Sequence, residues 1–246
     1  MGLARTMRAH SVKLSRPYPD AFDTCGTGGD GAGTINVSSA AAIVMAACGV
    51  TIAKHGNRAA SSRCGSADVL EALGVTVSVS PAVAERSLNE VGLAFLFAPA
   101  FHPSMKHAAP TRRELGLRTA FNLLGPLTNP VEPRRQIVGV PRPELTELLA
   151  RALLMLGSER AWVVHGADGL DEISTSGYTK VSEAHAGDVR TFHVHPSDFG
   201  IRKSPLSAIA GGDAAVNAST IERLLDGEDG PVADIVALNA AAGLFV

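Results

Sequence analysis

The chain has 246 residues, with 22 Lys and Arg against 24 Asp and Glu and a formal net charge of −2 at pH 7. Its 46% hydrophobic and 19% charged residues are an ordinary globular balance, which excludes a disordered chain. The near-neutral charge gives no general reason to expect nucleic acid or an anionic membrane as a partner.

Three cysteines (Cys25, Cys48 and Cys64) lack the spacing of a zinc site and are interpreted as reduced thiols. The first residues do not form a signal peptide, and no stretch approaches the ~20 apolar residues of a membrane span. We therefore expect a soluble, cytoplasmic protein that contacts neither membrane nor nucleic acid.

The first half of the chain alternates strand and helix patterns. An apolar entry at Phe22 leads into a glycine-rich loop and then a helix predicted from Asn36 to Gly49, because Asn and Ser favour the N-cap and Gly the position past the end. VTIAKHG is predicted as a buried strand, and a helix capped by Ser66 follows. VTVSVS alternates as a strand should, Pro81 suits the first turn of the next helix, and LAFLFA is another buried strand.

In the second half, HPSMKHAAPTRREL is predicted as helical with an interruption near Pro110. RRQIVGV and AWVVHG are predicted strands on either side of the amphipathic helix PELTELLARALLML. KVSEAHAGDVRTFHVHP suggests antiparallel strands, and the remainder is predicted as helical. The alternation predicts an α/β fold with a mostly parallel central sheet flanked by helices. Ligands of such sheets bind at the carboxyl ends of strands, where residues 26–33, 54–62 and 168–172 would meet.

The first of these loops contains five glycines within eight residues, from Gly26 to Gly33. A glycine-rich turn that enters a helix offers unpaired backbone N–H groups and the positive end of the helix dipole, which suits phosphate. It is neither a Walker A motif nor a dinucleotide-binding fingerprint. Because hydroxyl and amide side chains follow at Thr34, Asn36, Ser38 and Ser39, phosphate binding is favoured over a flexible surface turn.

The second loop, KHGNRAASSRCGS, combines cations, an Asn and serines with small residues that permit close backbone approach. We interpret it as a second anion-binding loop in which Lys54 is a point charge on phosphate, rather than as a solvated basic loop.

The third loop carries the adjacent carboxylates Asp171 and Glu172. Such pairs are usually solvated turns, but beside two phosphate-type loops a Mg²⁺ site is the better interpretation, since Mg²⁺ bridges carboxylates to substrate phosphates. His102, His107 and Arg112 share one predicted helical stretch; Arg112 could pair with a carboxylate.

Together these motifs resemble the anthranilate phosphoribosyltransferase family, which belongs to the glycosyltransferases shared with pyrimidine nucleoside phosphorylases. GTGGD, NVSS and KHGNRAASS match its phosphoribosyl pyrophosphate motifs, and HPSMKHAAPTRREL, FNLLGPLTNP, VVHGADGLDEIS and LNAAA match the rest. The resemblance implies transfer of the phosphoribosyl group to the amine of anthranilate, giving N-(5-phosphoribosyl)anthranilate and pyrophosphate in tryptophan synthesis from chorismate. Two Mg²⁺ ions per site are implied.

The resemblance also implies roles for individual residues. The metal would be held by Ser38, Asp171 and Glu172, and anthranilate would lie near Gly26, Asn57, His102, His107 and Arg112. Phosphoribosyl pyrophosphate would contact Gly26, Gly29, Asp30, Thr34, Asn36, Val37, Ser38, Ser39, Lys54, His55, Gly56, Asn57, Arg58, Ala59, Ser62 and Ser66. No strong general base is predicted, because the amine is already neutral at pH 7.

Relatives carry a helical domain before the glycine loop that forms much of a homodimer interface. Residues 1–20 are predicted to be a remnant of that domain, residues 21–246 the phosphoribosyltransferase α/β domain, and the helical stretch near 102–116 to pack with the small domain. The dimer interface and a final helical segment are accordingly expected to be largely absent.

Three alternatives remain at this point. KHGNR and the GSADVLEALG stretch fit a pyrimidine nucleoside phosphorylase equally well, whereas GPLTNP and DGLDEIS favour the transferase. A non-catalytic, nucleic-acid-binding member of the same fold would require a basic groove and eroded acidic residues, which the charge of −2 and the acidic pair oppose. A folded chain without turnover is a third, weaker option.

Overall fold

A central sheet organises the computed structural model, which describes residues 1–59, 62–117 and 119–246; Ala60 and Ser61 of the second loop and Arg118 lie outside the described residues. The strands are β1 (Phe22–Asp23), β2 (Ile52–Gly56), β3 (Leu93–Phe97), β4 (Arg135–Gly139), β5 (Arg160–Gly166), β6 (Thr179–His185) and β7 (Asp188–Val194). Their order is β3-β2-β1-β4-β5-β6-β7, and β1 to β5 pair in parallel while β6 and β7 are antiparallel. The predicted mostly parallel α/β fold is confirmed.

Helices cover both faces of this sheet. They are α1 (Gly2–Ala9), α2 (Val37–Ala47), α3 (Ser66–Ala72), α4 (Pro81–Glu90), α5 (Ala98–Phe101), α6 (Ala109–Leu115), α7 (Leu145–Met155), α8 (Ala214–Leu225) and α9 (Pro231–Phe245). Short 3₁₀ helices lie at Pro103–His107, Ala120–Leu123, Gly125–Leu127, Pro196–Phe199 and Leu206–Ile209.

Strand alternation divides the core in two, because successive side chains point to opposite faces. On one face, Ile52, Ile137 and Trp162 pack in a cluster with residues of α2, α3, α8 and α9. On the other face, Val138 and Val163 pack with α1 and α7, while residues of β2 and β3 pack with α4.

Two local predictions were wrong, and a third was right in position but not in its capping hydrogen bond. Residues 75–80 form no strand: Val77 is buried in the core, but the segment pairs with no neighbour, so alternation there reflects burial without a ladder. Ser66 is the first residue of α3 rather than its cap, which is Gly65. Asn36 occupies the cap position of α2 without a capping side-chain bond, because its amide is used in tertiary contacts.

The other element predictions agree closely with the structure. Pro81 lies in the first turn of α4, and the predicted helix around Pro110 is divided into a 3₁₀ helix and α6. The predicted antiparallel pair is a hairpin whose turn, Ala186 and Gly187, has φ values of +51° and +84°.

At the N-terminus, α1 packs onto the body of the chain. Ala4 is fully buried, and Arg8 Nε donates to the Leu127 carbonyl at 2.8 Å. That residues 1–20 belong to a separate helical domain, against which residues 102–116 pack, stays a prediction. In the part of the chain that the structure describes, no helix has the length and apolar character needed to cross a membrane.

Candidate active site

The glycine-rich loop leaves the carboxyl end of β1 and lies against the end of β4. Thr27 N–H donates to the Gly139 carbonyl at 2.9 Å, and a Cβ at Gly26 would come within 3.2 Å of that same oxygen. Gly28 and Gly29 adopt φ values of +65° and +84°, which disfavour any side chain. Asp30 Oδ1 accepts from Ala32 N–H at 3.3 Å and closes a turn inside the loop. Bare backbone is therefore required here by geometry.

Gly139 brings the acidic loop against the glycine loop. A Cβ at Gly139 would lie 1.5 Å from the Asp171 carbonyl oxygen, and a Cβ at Gly26 would lie 3.4 Å from Asp171 Oδ2. Three loops, from the ends of β1, β4 and β5, therefore meet within van der Waals distance. Sequence reasoning missed Gly139, although a glycine at the end of the predicted strand RRQIVGV was the available signal.

The acidic pair reaches the start of α2. Glu172 Oε1 accepts the Ser38 backbone N–H at 3.1 Å, so this carboxylate fills the capping position that the Asn36 side chain leaves. Burial raises the pKa of Glu172, which nearby Lys54 and Ser38 partly oppose. Burial also raises the pKa of Asp171, and the negative charges of Glu172 and Asp30 raise it further. Glu172 thus lies at the helix N-terminus, and the charges of Asp171 and Asp30 act on the same region.

Lys54 lies beneath this group rather than in solvent. Its side chain is buried, and Nζ donates to Thr24 Oγ1 at 2.9 Å and to Ser38 Oγ at 3.4 Å. Its positive charge favours the ionised forms of Asp23 and Glu172. A direct contact of Lys54 with phosphate stays a prediction.

Asp23, at the end of β1, was not singled out from the sequence. It is fully buried; Oδ1 accepts the N–H groups of Cys25 at 3.0 Å and His55 at 3.1 Å, and Oδ2 accepts the Asn129 amide at 2.8 Å. Burial raises the pKa of Asp23 from 3.8 to about 6, against the bonds from its partners. The Asp23 carboxylate therefore fixes the chain positions at which two predicted anion-binding loops begin. No local sequence pattern predicts this role.

The second loop is closed by Asp68 of α3. Asp68 Oδ2 accepts Gly65 N–H at 2.8 Å and Ala59 N–H at 2.9 Å. The Arg58 side chain points away from the loop and forms a bidentate ion pair with Glu71, with Nη1–Oε2 and Nη2–Oε1 distances of 2.5 and 2.7 Å. Arg58 is exposed in this structure and does not face the acidic group.

Close packing and local bonds position the rest of this loop. A Cβ at Gly56 would lie 2.4 Å from Ser66 Oγ, Ser66 Oγ donates to the Asn57 carbonyl at 3.3 Å, and Ser62 Oγ donates to the Cys64 carbonyl at 3.4 Å.

Four predicted residues near α2 have other surroundings. Val37 is buried in the core, and Ser39 is 2% exposed with no partner for its hydroxyl among the described residues. Asn36 Nδ2 donates to the Cys64 carbonyl at 3.3 Å, and Oδ1 accepts from Asn217 at 2.9 Å. Thr34 forms an isolated bridge with residue 210.

Two buried histidines lie on the opposite face of the sheet from Lys54. His55 Nδ1 meets the Gly125 carbonyl at 2.9 Å, and its ring packs edge-on against His102 with centroids 5.1 Å apart. Neither ring nitrogen of His102 has a hydrogen-bond partner of normal geometry in the described chain. Burial, followed by the charge of His102, lowers the pKa of His55 from 6.5 to about 3, and burial also lowers that of His102. Both rings are neutral at physiological pH.

Two further predicted acceptor-site residues are less enclosed. His107 ends a 3₁₀ helix and is exposed, while Arg112 is partly buried with its guanidinium 5.3 Å from the centre of the Phe121 ring. The structure thus brings Gly26, Asp30, Ser38, Lys54, Asp171 and Glu172 together, and it places His55, Val37 and Arg58 away from that group.

The carboxylate group fits Mg²⁺ chemically. Burial and mutual repulsion raise the pKa values of these carboxylates, and a bound divalent cation would offset both effects by favouring their ionised forms. Hard oxygen donors are also the ligands that Mg²⁺ prefers. Among the described residues no three His, Cys, Asp or Glu side chains form a ready-made metal cluster. Mg²⁺ commonly takes one or two carboxylates together with substrate phosphates, which agrees with such a set.

The fold and this convergence of loops define an α/β domain whose candidate site lies at the carboxyl ends of its parallel strands. The profile of the glycosyl transferase family, a/b domain, matches residues 18–246, so the chain belongs to that family.

Anthranilate phosphoribosyltransferases are among the similar relatives within this family. Anthranilate phosphoribosyltransferase of Moorella thermoacetica is 53% identical over 244 residues, covering 99% of this chain and 72% of that protein. The crystal structure of the enzyme from Thermus thermophilus is 48% identical with a TM-score of 0.91, over 99% of this chain and 72% of its own. The Saccharomyces cerevisiae enzyme, solved in complex with PRPP and Mg, is 35% identical with a TM-score of 0.88, over 98% and 68%. The resemblance to the anthranilate phosphoribosyltransferases is confirmed.

Proposed function

We propose that this chain transfers the 5-phosphoribosyl group of phosphoribosyl pyrophosphate to the amine of anthranilate. The products are N-(5-phosphoribosyl)anthranilate and pyrophosphate. The C–O bond between the ribose anomeric carbon and pyrophosphate breaks, a C–N bond forms to the amine, and the amine loses a proton.

One observation carries the proposal: the loops after β1, β4 and β5 meet at Gly26, Gly139 and Asp171, where a Cβ at Gly139 would overlap the Asp171 carbonyl oxygen and a Cβ at Gly26 would lie 3.2 Å from the Gly139 carbonyl oxygen. Bare backbone and crowded carboxylates at a helix N-terminus are the combination that a polyphosphate with its cation requires. The yeast relative, whose structure contains PRPP and Mg, supports this assignment of the ligand class.

The leaving group is the difficult part of the reaction. Mg²⁺, when bound, would neutralise charge that develops on pyrophosphate. Asp171, Glu172 and Ser38 are the residues we propose to hold it, with two ions per site. The glycine loop is fixed by its hydrogen bonds to the Gly139 carbonyl and within itself, and its bare backbone would let pyrophosphate approach closely in a preset position.

The acceptor needs positioning more than activation. An aromatic amine is already neutral at pH 7, so it needs little activation. We propose that His102 or His107 takes up the amine proton late in the reaction. We propose Arg112 as the partner of the anthranilate carboxylate, with its guanidinium packed on Phe121.

The test is the loss of anthranilate fluorescence on incubation with this chain, phosphoribosyl pyrophosphate and Mg²⁺. Loss that requires both the donor and the metal is the expected result. Arg142→Ala, an exposed residue in an ion pair with Glu144, is the control and should retain full activity. A folded chain that consumes no anthranilate at saturating donor and metal would contradict the proposal.

We infer further that the reaction takes place in the cytoplasm and involves neither nucleic acid nor membrane. The family resemblance implies a homodimer for relatives, and sedimentation velocity tests whether this chain, expected above to lack most of that interface, forms one.

A further inference from the structure

The LNAAA motif in α9 has no part in the reaction proposed above, yet it contains a buried amide beside the site. Asn239 is 4% exposed. Its Oδ1 accepts the Ile173 N–H at 3.0 Å, and its Nδ2 donates to the Ile173 carbonyl at 2.9 Å. Nδ2 also donates to the Ile235 carbonyl one turn earlier in α9, at 2.9 Å. Both backbone groups of one loop residue are therefore held by a single side chain 66 positions away.

That loop residue directly follows Glu172. The Glu172 carboxylate meets the Ser38 N–H at 3.1 Å, and α9, which carries Asn239, packs on α2, which carries Ser38. The helices approach so closely that a Cβ at Gly243 would lie 2.4 Å from Met45 Cε. The hydrogen bonds of Asn239 to Ile173, called the amide clamp below, and the contact of Glu172 with Ser38 therefore join the same two helices to the acidic loop.

Only an amide of this length satisfies the geometry. The side chain must accept one hydrogen bond and donate two, which Asp cannot do and Ser does only in part. A buried polar contact of this kind leaves two backbone groups unsatisfied when it is removed.

We propose that Asn239 is a positioning residue of this active site, which holds the Ile173 backbone so that Glu172 remains at the start of α2 in the place where it serves the metal. The proposal rests on the proposed function for the role of Glu172, whereas the clamp itself stands on the contacts of Asn239.

The experiment compares Asn239→Ser with Val236→Ala. Val236 is buried in the same helix and touches no loop backbone through a polar group, so its truncation destabilises α9 without opening the clamp. Hydrogen–deuterium exchange of the Ile173 amide is measured without substrate or metal. Steady-state turnover then gives the half-saturating Mg²⁺ concentration and the KM of each substrate.

In Asn239→Ser we expect Ile173 exchange to rise about tenfold or more, because its N–H loses its partner. We expect the half-saturating Mg²⁺ concentration to rise about 10–100-fold, the usual effect of losing a group that orients a ligand. The KM for anthranilate should not change. Val236→Ala should leave both the local exchange and the Mg²⁺ requirement at the wild-type values. If Asn239→Ser does not fold, Asn239→Gln carries the same comparison, since its longer arm cannot meet both Ile173 groups.

Equal effects of Asn239→Ser and Val236→Ala would overturn the proposal, as would faster Ile173 exchange with an unchanged Mg²⁺ requirement. Absence of turnover in the wild-type chain would instead contradict the proposed function. The two failures are distinguishable because the exchange measurement uses no substrate.

Discussion

Replacing Asn129 with Asp would set a second carboxylate against the buried carboxylate of Asp23. In the native chain Asn129 Nδ2 donates to Asp23 Oδ2 at 2.8 Å and to the Ala53 carbonyl at 2.8 Å, and its Oδ1 accepts from Val131 N–H at 3.0 Å. The carboxylate of the Asn129→Asp variant retains only the last of these bonds. Two acceptors would then face each other in a site with no access to water.

The contacts give the size of the effect. Loss of the bond to a charged partner costs about 2 kcal/mol, and an unpaired Ala53 carbonyl costs about 1–3 kcal/mol. Together with repulsion between the acids, we expect the free energy of unfolding to fall by about 4 kcal/mol. That is a large share of the ~5–15 kcal/mol typical of a domain.

The exchanged pair Asp23→Asn with Asn129→Asp restores one amide opposite one carboxylate. Asn at position 23 can still accept from the N–H groups of Cys25 and His55 through its oxygen, and only the Ala53 carbonyl remains unpaired. We therefore expect the double variant to recover about 2 kcal/mol relative to Asn129→Asp alone.

Urea unfolding with a constant m-value is the assay. Asn89→Asp is the control: it makes the same chemical change at an exposed position that already accepts the Tyr18 hydroxyl at 3.1 Å, so it should stay within about 0.5 kcal/mol of wild type. A double variant no more stable than Asn129→Asp would refute the pairing argument.

Asp23 also makes stability depend on pH. Its folded-state pKa, about 6, lies above the usual 3.8, so between these values the native state binds more protons than the unfolded state. Stability from this group is therefore present below pH 4 and is lost as the pH rises through 6, by about 3 kcal/mol in total. His55 has the opposite slope, since its pKa is lowered. The stability of wild type relative to Asp23→Asn isolates the Asp23 contribution: it should fall as the pH rises from 4 to 7, and a constant difference would contradict the burial argument.

Three further outcomes are expected. Asp171→Asn with Glu172→Gln should weaken Mg²⁺-dependent turnover far more than folding; an unchanged Mg²⁺ titration would exclude these ligands. Arg112→Ala should raise the KM for anthranilate more than the KM for the phosphoribosyl donor, and equal shifts would contradict its role. Glu183→Ala should lower the free energy of unfolding, measured in urea or by heat, by about 3–5 kcal/mol, because Glu183 is 1% exposed and its Oε1 lies 2.8 Å from Arg160 Nε. Neither KM should change, because this pair lies far along the sheet from the acidic loop. A loss under about 1 kcal/mol would show that this pair is not desolvated.

Local patterns predicted most of the fold. Alternation and apolar runs located six of the strands, and turn and cap residues located the helices, because these signals arise from neighbours in the chain. They failed at residues 75–80, where Val77 is buried and Val79 partly buried without a pairing partner, while Val75 is exposed. A segment forms a strand only where another strand lies beside it to pair with, and local sequence patterns do not determine that.

The sequence predicted which loops form the candidate site, but not the contacts that hold those loops together. The glycines and the acidic pair follow recognisable chemistry, so their convergence could be expected from strand ends. The capping of α2 by Glu172 could not, because the contact to Ser38 spans 134 positions. The roles of Asp23, Asn129 and Asn239 could not be predicted for the same reason, since each binds backbone groups that only the fold brings near.

The hairpin turn at Ala186 and Gly187 offers a place to attach something to this enzyme. His185 is paired with Arg160, at the beginning of β5, so the turn lies at the edge of the sheet away from the loops that gather around Asp171. A fluorophore, an affinity tag or a surface tether introduced there would project from the rear of the molecule. Substrates would still reach the front unobstructed, and an immobilised catalyst could be built on this chain without altering any residue near the glycine loop.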